Sequence, residues 1–197
     1  ADVRKAHRPA PEPQLADVFA DFDATFADRV AEADKFYAPI QQGVADADAR
    51  LVQRQAFAGM VFSRQYFGFD IWQWLKGDPG QPTPPPQRHA GRNVDWEHLK
   101  NGDVVTMPDK WEYCVWDTAF HSVVGAVIDP EFAKKDLLTY LGEGFLHPNG
   151  QIPAYEWCFS DVNPPVHGWA VWRVYQTDRA LRDGRGDREF LERCFHK

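Results

Sequence analysis

The chain has 197 residues, of which 44% are hydrophobic and 26% charged, so it holds enough apolar material for the core of one domain. Its formal net charge of −7 argues against duplex DNA or RNA as a partner, because nucleic-acid binding requires a basic face. No segment approaches the ~18 consecutive apolar residues of a membrane span, and the chain opens without an apolar run suited to a signal peptide. We therefore expect a cytoplasmic protein without a membrane partner.

The first predicted elements are two helices. Apolar residues recur at the three-and-four spacing of one buried helix face at Leu15, Val18, Phe19, Phe22, Phe26, Val30, Ala33 and Phe36. After Gly43, Asp46 and Asp48 supply acidic groups at the next helix start. Helical spacing then continues from Leu51 to Leu75, which predicts a second, long helix that ends at Gly77.

A Pro-rich segment follows these helices. Five prolines fall between Gly77 and Arg92, namely Pro79, Pro82, Pro84, Pro85 and Pro86. Proline lacks a backbone donor and fixes its own φ, so this piece is expected to be an extended connector that joins neither a helix nor a sheet.

Four more helices are predicted beyond the connector, at Trp116–Ile128, Pro130–Leu141, Val166–Leu181 and Asp187–His196. A long irregular loop at 142–165 separates the second from the third, and loops of that length usually carry function. No strand with convincing alternation is found, so the fold class is expected to be all-α. The expected organisation is a helical region at 1–76, a Pro-rich connector at 77–109 and a helical catalytic part at 110–197.

Three clusters of polar and aromatic residues stand at helix starts and in the long loop, at 110–121, 147–157 and 160–169. In an array of helical hairpins such loops gather on one face. Aromatic rings pack against the C–H faces of sugars, and carboxylates and amides bind the hydroxyls. The candidate polar residues for a sugar site are Asp117, Glu156, Asp161, Gln151, His121 and His167.

Each candidate also has an ordinary structural explanation. Asp117 near a helix start is typical of a cap or of a partner of the helix dipole, and His121 one turn later is within reach of a local hydrogen bond. Trp169 and Trp172 at helical spacing are typical of a core, and Asn163 before two prolines is typical of an N-cap. Most of the tryptophans and the candidate carboxylates nevertheless lie within about a third of the chain, and this concentration favours a sugar-binding site.

Other chemistry has weaker support in the sequence. A metal site could be drawn from His121, His147, His167, Asp117 and Asp161, but none of the histidines has a recognised ligand spacing. The three cysteines have no metal spacing and make no disulfide framework. No Gly-rich phosphate loop or nucleophile elbow is present. We therefore expect neither a metal nor a cofactor, and a metal-dependent helical hydrolase stays an alternative that requires bound metal.

The same clusters resemble a known family. The runs MPDKWEY, WDTAFH, IDPEFAKKDLL, HPNGQIPAYEW, FSDVNPPVHGWAVWRVY and FLERCFHK resemble glycoside hydrolase family 63, the relatives of mannosyl-oligosaccharide glucosidase, in its bacterial form. The upstream runs ADARLVQRQAFAGMVFSRQYF and AGRNVDWEHLKNGDVV do so as well. The resemblance implies an (α/α)6 barrel and inverting hydrolysis of an α-linked glucoside or similar sugar.

The resemblance also implies residue roles. Trp116 and Asp117 match the pair that holds the sugar where cleavage occurs, Gln151 matches a further substrate-facing position, and Tyr155 and Trp157 are expected neighbours. The spacing from Tyr113 to Trp116 is shorter than expected of relatives. Because a helix turns about 100° per residue, such a deletion could rotate the Asp117 side chain out of the site unless the preceding loop absorbs it.

The family's general acid and general base have no counterpart here, so this chain contains no catalytic residue and should be inactive alone. We expect both carboxylates beyond Lys197, in the remainder of a barrel of which this chain forms roughly the first half. A rival hypothesis is a non-catalytic helical carbohydrate-binding module that lacks the catalytic carboxylates.

Overall fold

The computed structural model describes residues 19–105, 107, 112, 114–161 and 163–197, and the chain divides into two compact units, 1–50 and 51–197. The described residues are mostly helical, which agrees with the predicted class except for one two-stranded sheet. No helix among them is both long enough and apolar enough to cross a membrane.

The first helix, α1, spans Phe22–Ile40. Its predicted beginning at Leu15 and Val18 lies outside the described residues. The prediction of a buried face is wrong for the rest, because Phe19, Phe22, Phe26, Val30 and Phe36 are all exposed, and only Tyr37 of α1 is buried. The three-and-four spacing therefore marks an apolar stripe that stays open to solvent.

The second helix is shorter than predicted. Helix α2 spans Ala47–Phe62, and the Asp46 carboxylate caps it by accepting a hydrogen bond from the Ala49 amide at 2.7 Å. Strand β1 (Tyr66–Asp70) and the short helix α3 (Ile71–Lys76) then follow. The prediction of one helix up to Gly77 is wrong here, because alternating aromatic residues around Gly68 favour an extended strand.

Strand β1 pairs antiparallel with β2 (Lys100–Val104), in a register that places Gly68 opposite Gly102. The prediction that the chain has no strand is therefore wrong. Asp70 joins the sheet to α3, since its carboxylate accepts a hydrogen bond from the Gln73 amide at 3.0 Å.

The Pro-rich segment is largely irregular, but it contains a short 3-10 helix at Pro86–Ala90. The prediction that it joins no helix is wrong at that point, because Pro86 occupies the first turn, where no donor is needed. Arg88 ties the segment to α3: its guanidinium donates to the Trp74 carbonyl at 2.7 Å and lies 4.6 Å from the indole ring centroid.

The remaining helices closely follow their predicted bounds: α4 at Val115–Ile128, α5 at Pro130–Tyr140, α6 at His167–Leu181 and α7 at Arg188–Phe195. Side-chain caps explain two of the starts. The Asp129 carboxylate accepts from the Phe132 amide and the Asp187 carboxylate from the Phe190 amide, each at 3.0 Å.

Two cores hold the second unit together. One joins the sheet region to the long loop and contains Ile71, Leu75, Leu99, Val105, Val115, Tyr140, Phe145 and Trp157. The other lies among α4, α5, α6 and α7, and its buried alanines let the helices approach closely: Ala119, Ala126, Ala133, Leu137, Ala170, Val171, Val174 and Phe190.

A buried cation fixes α5 against the two last helices. Lys134 is 4% exposed, and its ammonium forms ion pairs with Asp187 at 2.6 Å, Glu131 at 2.9 Å and Asp178 at 3.5 Å. Asp178 is fully buried and also pairs with Arg182 at 2.7 Å. Three carboxylates thus compensate the desolvation of one ammonium group.

Apolar surface remains exposed on the C-terminal helices. Helix α4 presents Phe120, Val124 and Val127, and α6 presents Trp169 and Trp172, so the prediction that both tryptophans lie in the core is wrong. We call these five residues the α4–α6 apolar face. An apolar cavity of about 590 Å³ opens between α6 and α7, and its lining includes Trp172 of this face and the exposed Phe195.

Candidate functional site

Two of the predicted sugar-binding residues, Trp116 and Gln151, line one cavity of about 250 Å³. The start of α4 supplies Val115 and Trp116, and the long loop supplies Gln151 and the segment that enters α6. The Val115 amide donates to the Ala154 carbonyl at 2.8 Å, which docks the loop on α4. The loop conformation thereby places an indole beside an amide, two groups suited to a sugar ring.

Local hydrogen bonds shape the turn that presents Gln151. The His147 amide donates to the Gln151 carbonyl at 2.8 Å, and the Gln151 amide donates to the Asn149 side-chain oxygen at 2.9 Å. The Asn149 side-chain amide also donates to Oε1 of Gln151 at 3.2 Å. The position of Gln151 is therefore set within five residues of chain, as expected of an Asn-Gly turn.

Asn163 and His167 line the same cavity. Nδ2 of Asn163 donates to the Ile152 carbonyl at 2.6 Å, and α6 begins after Val166 without a side-chain cap. The prediction that Asn163 is an N-cap is therefore wrong, because its amide instead bonds across the loop. Nε2 of His167 donates to the Leu137 carbonyl at 3.0 Å, because a carbonyl can only accept. Burial lowers the pKa of the imidazole.

Asp117 occupies the third position of α4, and Cys114 is the N-cap residue, so Asp117 is not the N-cap. Its place in the first turn agrees with the alternative that its carboxylate interacts with the helix dipole. The Asp117 carboxylate lies near the Cys114 thiol; burial first, and the nearby Asp117 carboxylate second, raise the pKa of that thiol to about 12. Asp117 is not among the residues that line the Trp116 cavity. Its neighbour Trp116 does line that cavity. The two residues of the W-D pair therefore lie in different surroundings, Trp116 at the cavity and Asp117 in the first turn of α4.

His121 faces a different, small cavity of about 60 Å³ between the end of α2 and helices α4 and α5. Arg64 and Asp136 form a buried ion pair on its wall, which sequence reasoning missed. Burial raises the pKa of Asp136 to about 6 although Arg64 opposes the shift. Burial also lowers the pKa of His121, against the attraction of Asp117. Nδ1 of His121 has no hydrogen bond among the described residues, so that atom makes no bond to Asp117.

Trp157 lies in the core and is 2% exposed, away from the wall of the Trp116 cavity. Its indole stacks on Phe159 with ring centroids 5.0 Å apart. Asn93 forms hydrogen bonds with both backbone groups of Trp157. The Asn93 amide donates to the Trp157 carbonyl at 2.7 Å, and the Trp157 amide donates to Oδ1 of Asn93 at 2.8 Å. Asn93 has φ of 71°, a left-handed conformation that asparagine tolerates better than most residues.

Tyr155 lies on the surface in a separate cavity of about 130 Å³ with Phe67, Phe69, Glu112 and Glu156. The structure therefore brings Trp116 and Gln151 together and places Tyr155 at a second cavity of the same loop. Within the described ranges, no group of three His, Cys, Asp or Glu side chains is arranged to hold a metal ion.

Comparison with known proteins gives two matches. Residues 110–197 match the family described as the mannosylglycerate hydrolase MGH1-like glycoside hydrolase domain. The chain is also 50% identical over 181 residues to a Saccharomyces cerevisiae protein, the uncharacterized protein YMR196W. That match covers 90% of this chain and 16% of the yeast protein, so the chain spans a small part of this relative's length. No solved structure matches.

The family match confirms that the C-terminal part of the chain has a glycosidase-type relative, as the resemblance of its motifs implied. The assignment to family 63 and to its bacterial form stays a prediction.

Proposed function

We propose that this chain is part of a glycoside hydrolase and that the Trp116 cavity holds a sugar ring of its substrate. The single observation that carries the proposal is the placement of Trp116 and Gln151, from separate elements, on one cavity of about 250 Å³. An indole offers an apolar face to sugar C–H groups, while the Gln151 amide offers hydrogen bonds to hydroxyls. Asn163 and His167 add polar groups whose orientation is already fixed by the protein.

The proposed reaction is inverting hydrolysis of α-glucosidic or α-mannosidic bonds in oligosaccharides or small glycosides. Inversion requires an acid and a base about 6.5 to 9.5 Å apart, so that a water molecule fits between the base and the sugar. By resemblance, both groups belong to chain beyond Lys197. The role of these 197 residues is then to bind and orient the sugar.

The proposed architecture is the first half of an (α/α)6 barrel, with the remainder of the barrel as the partner of these helices. The α4–α6 apolar face supports this proposal, because exposed Trp, Phe and Val side chains on neighbouring helices are typical of a surface that another element covers. The carbohydrate substrate is the other proposed partner. Cytoplasmic location is also part of this proposal.

A non-catalytic carbohydrate-binding module is the second candidate function. One observation favours it: the described residues that line the Trp116 cavity include an indole and two side-chain amides but no carboxylate. Binding and hydrolysis therefore need separate measurements.

The decisive experiment titrates the purified chain with D-glucose, D-mannose and their α-methyl glycosides, and follows binding by calorimetry. Trp116→Ala and Gln151→Ala should each weaken binding of the accepted sugar by about tenfold or more, since each removes a direct contact. Trp172→Ala is the matched control, because Trp172 is an exposed tryptophan outside the cavity. Absence of binding by every sugar, or equal loss in the control, would overturn the proposal.

Hydrolysis of a chromogenic α-glucoside or α-mannoside is measured in parallel. We expect no turnover by this chain alone and turnover by a protein that also carries the remaining barrel. Turnover by the chain alone, lost in a variant of Asp117, Glu156 or Asp161, would place catalytic carboxylates among these residues instead.

A further inference from the structure

The second cavity of the long loop carries side chains that the proposed function leaves unassigned. We propose that the cavity lined by Phe67, Phe69, Glu112, Tyr155 and Glu156 binds a second sugar ring of the same substrate. This inference rests on the proposed function and narrows its substrate class to saccharides of at least two rings.

Strand β1 supplies two aromatic walls. Phe67 and Phe69 are two residues apart, so both side chains project from the same face of the strand. Their ring centroids lie 6.3 Å apart, and both rings are half-buried against the core that contains Ile71 and Trp157. Rings fixed in this way present an apolar surface without losing further side-chain entropy when a ligand binds.

Tyr155 supplies a third ring and is 42% exposed. The Arg92 guanidinium carbon lies 4.8 Å from its ring centroid, and Arg92 is itself paired with Asp161. The adjacent Asn93 bonds both backbone groups of Trp157, two residues after Tyr155. The Tyr155 ring is therefore held in place yet remains open to solvent.

Two carboxylates complete the cavity. The Glu156 side chain is half-buried and makes no hydrogen bond or ion pair within the described part of the chain, and Glu112 is exposed. Carboxylates accept hydrogen bonds from sugar hydroxyls, and two of them disfavour an anionic ligand. Aromatic rings together with carboxylates thus fit a neutral polyhydroxylated ring.

The two cavities are close along the chain. Gln151 lines the first and Tyr155 the second, and four residues of extended chain span at most about 14 Å. The bond from the Val115 amide to the Ala154 carbonyl fixes the segment between them. The two cavities are therefore close enough at these residues for one short saccharide to be tested as a ligand of both.

The test compares monosaccharides with α-linked disaccharides on the full chain by calorimetry, using D-glucose and maltose, and D-mannose and an α-linked mannobiose. In the accepted series we expect the disaccharide to bind about tenfold more tightly, because the second ring gains a hydrogen bond to a charged group. Glu156→Gln and Tyr155→Ala should abolish this gain and leave monosaccharide affinity unchanged. Tyr155→Phe, which keeps the ring, should retain most of it.

Glu143→Gln and Tyr66→Ala are the matched controls, since both residues are exposed and neither lines the cavity. Thermal melting of every variant identifies loss of fold. Equal affinity for the monosaccharide and the disaccharide overturns this inference, and so does a higher disaccharide affinity that persists in both Glu156→Gln and Tyr155→Ala. In either case, monosaccharide binding that depends on Trp116 still supports the proposed function. Absence of binding by any sugar overturns both. Tetramethylammonium binding that Glu156→Gln removes, without a length gain, would identify a cation site instead.

Discussion

Substitution of Asp117 tests whether its carboxylate binds sugar hydroxyls. It lies near the Cys114 thiol at the start of α4, and it directly follows Trp116, which lines the cavity while Asp117 does not. If Asp117 binds sugar hydroxyls, Asp117→Asn should weaken saccharide binding by tens to thousands of fold, because a charged hydrogen bond is lost, while the melting temperature changes little. Calorimetric titration and thermal melting of Asp117→Asn and Asp117→Ala measure the two effects.

Cys114→Ala is the control, because it removes the neighbouring thiol and leaves the Asp117 carboxylate in place. Wild-type sugar affinity in Asp117→Asn would restrict the residue to its contact with Cys114. In that case Asp117→Ala should lower only stability, by about 1 kcal/mol.

Asp136 predicts a pH dependence of stability. Burial raises its pKa from 3.8 to about 6 in the folded protein, so the folded state holds the proton more tightly than the unfolded chain. Its contribution to stability is therefore fully present below about pH 4 and is lost as the pH rises to about 6. The free energy of unfolding of the wild type, relative to Asp136→Asn, should fall over this range by on the order of 1–3 kcal/mol.

Urea denaturation at pH values from 4 to 7 tests this, and groups unaffected by the substitution cancel in the difference. A constant difference would mean that the Arg64 charge holds the Asp136 carboxylate ionised throughout.

Some individual residues of the candidate site can be predicted from the sequence, and others cannot. Trp116 and Gln151 could be found because each stands in an unusual local run of aromatic and polar residues. Asn93 and Arg64 could not, since their partners Trp157 and Asp136 lie 64 and 72 residues away. A single sequence carries no local signal for such pairs.

Among the elements, α5 depends on its buried ion pairs. Replacing Lys134 by Met would remove the Lys134 ammonium from both Asp187 and Asp178. The fully buried Asp178 carboxylate would then keep Arg182 as its ion-pair partner. We expect a loss of about 3–5 kcal/mol in the free energy of unfolding, the usual cost of breaking a buried ion pair on one side.

Lys135→Met is the matched control, because Lys135 is exposed and its ion pair in the described structure is with Asp103, at 2.9 Å, beside a long contact of 6.0 Å to the Phe132 ring centroid. Its loss should stay within about 1 kcal/mol. Urea denaturation of both variants gives the comparison, and equal losses would show that the Lys134 pairs contribute no more than a surface contact.

The elements differ in how far the sequence predicted them. Helices α4 to α7 lie within about two residues of their predicted bounds. Asp129 with Pro130 marks the start of α5 and Asp187 that of α7, whereas helical spacing alone predicts α4 and α6. Strand β1 was missed because a short aromatic run fits helix and strand spacing equally well. The burial of α1 was predicted wrongly, since periodicity identifies an apolar face but not what covers it.

At the scale of the whole molecule, exposed apolar surface is the main feature. Phe120, Val124 and Val127 on α4 and two tryptophans on α6 form the α4–α6 apolar face, and α1 adds its own stripe. We expect the chain alone to self-associate at micromolar concentration, because contiguous exposed apolar patches of this kind drive association. Analytical ultracentrifugation over a range of concentrations measures it.

Val124→Ser combined with Trp172→Ser should shift the chain towards monomer. Arg173→Ser is a control on α6, because it removes an exposed polar residue there. A wild-type chain that stays monomeric with a sharp two-state melt would contradict this prediction and the proposal that further helices cover these faces.

The bonds between Asn93 and Trp157 have a consequence for hydrogen exchange. Trp157 lies in a segment without regular secondary structure, yet its amide is buried and bonded to Oδ1 of Asn93. Because exchange requires local opening, and opening here breaks two bonds and exposes an indole, the Trp157 amide should exchange with deuterium as slowly as amides in the middle of α4. Amides of the solvent-facing helix α1 should exchange faster. The loop that carries the candidate sugar contacts would then be among the most slowly opening parts of the molecule, and a ligand would meet it already formed.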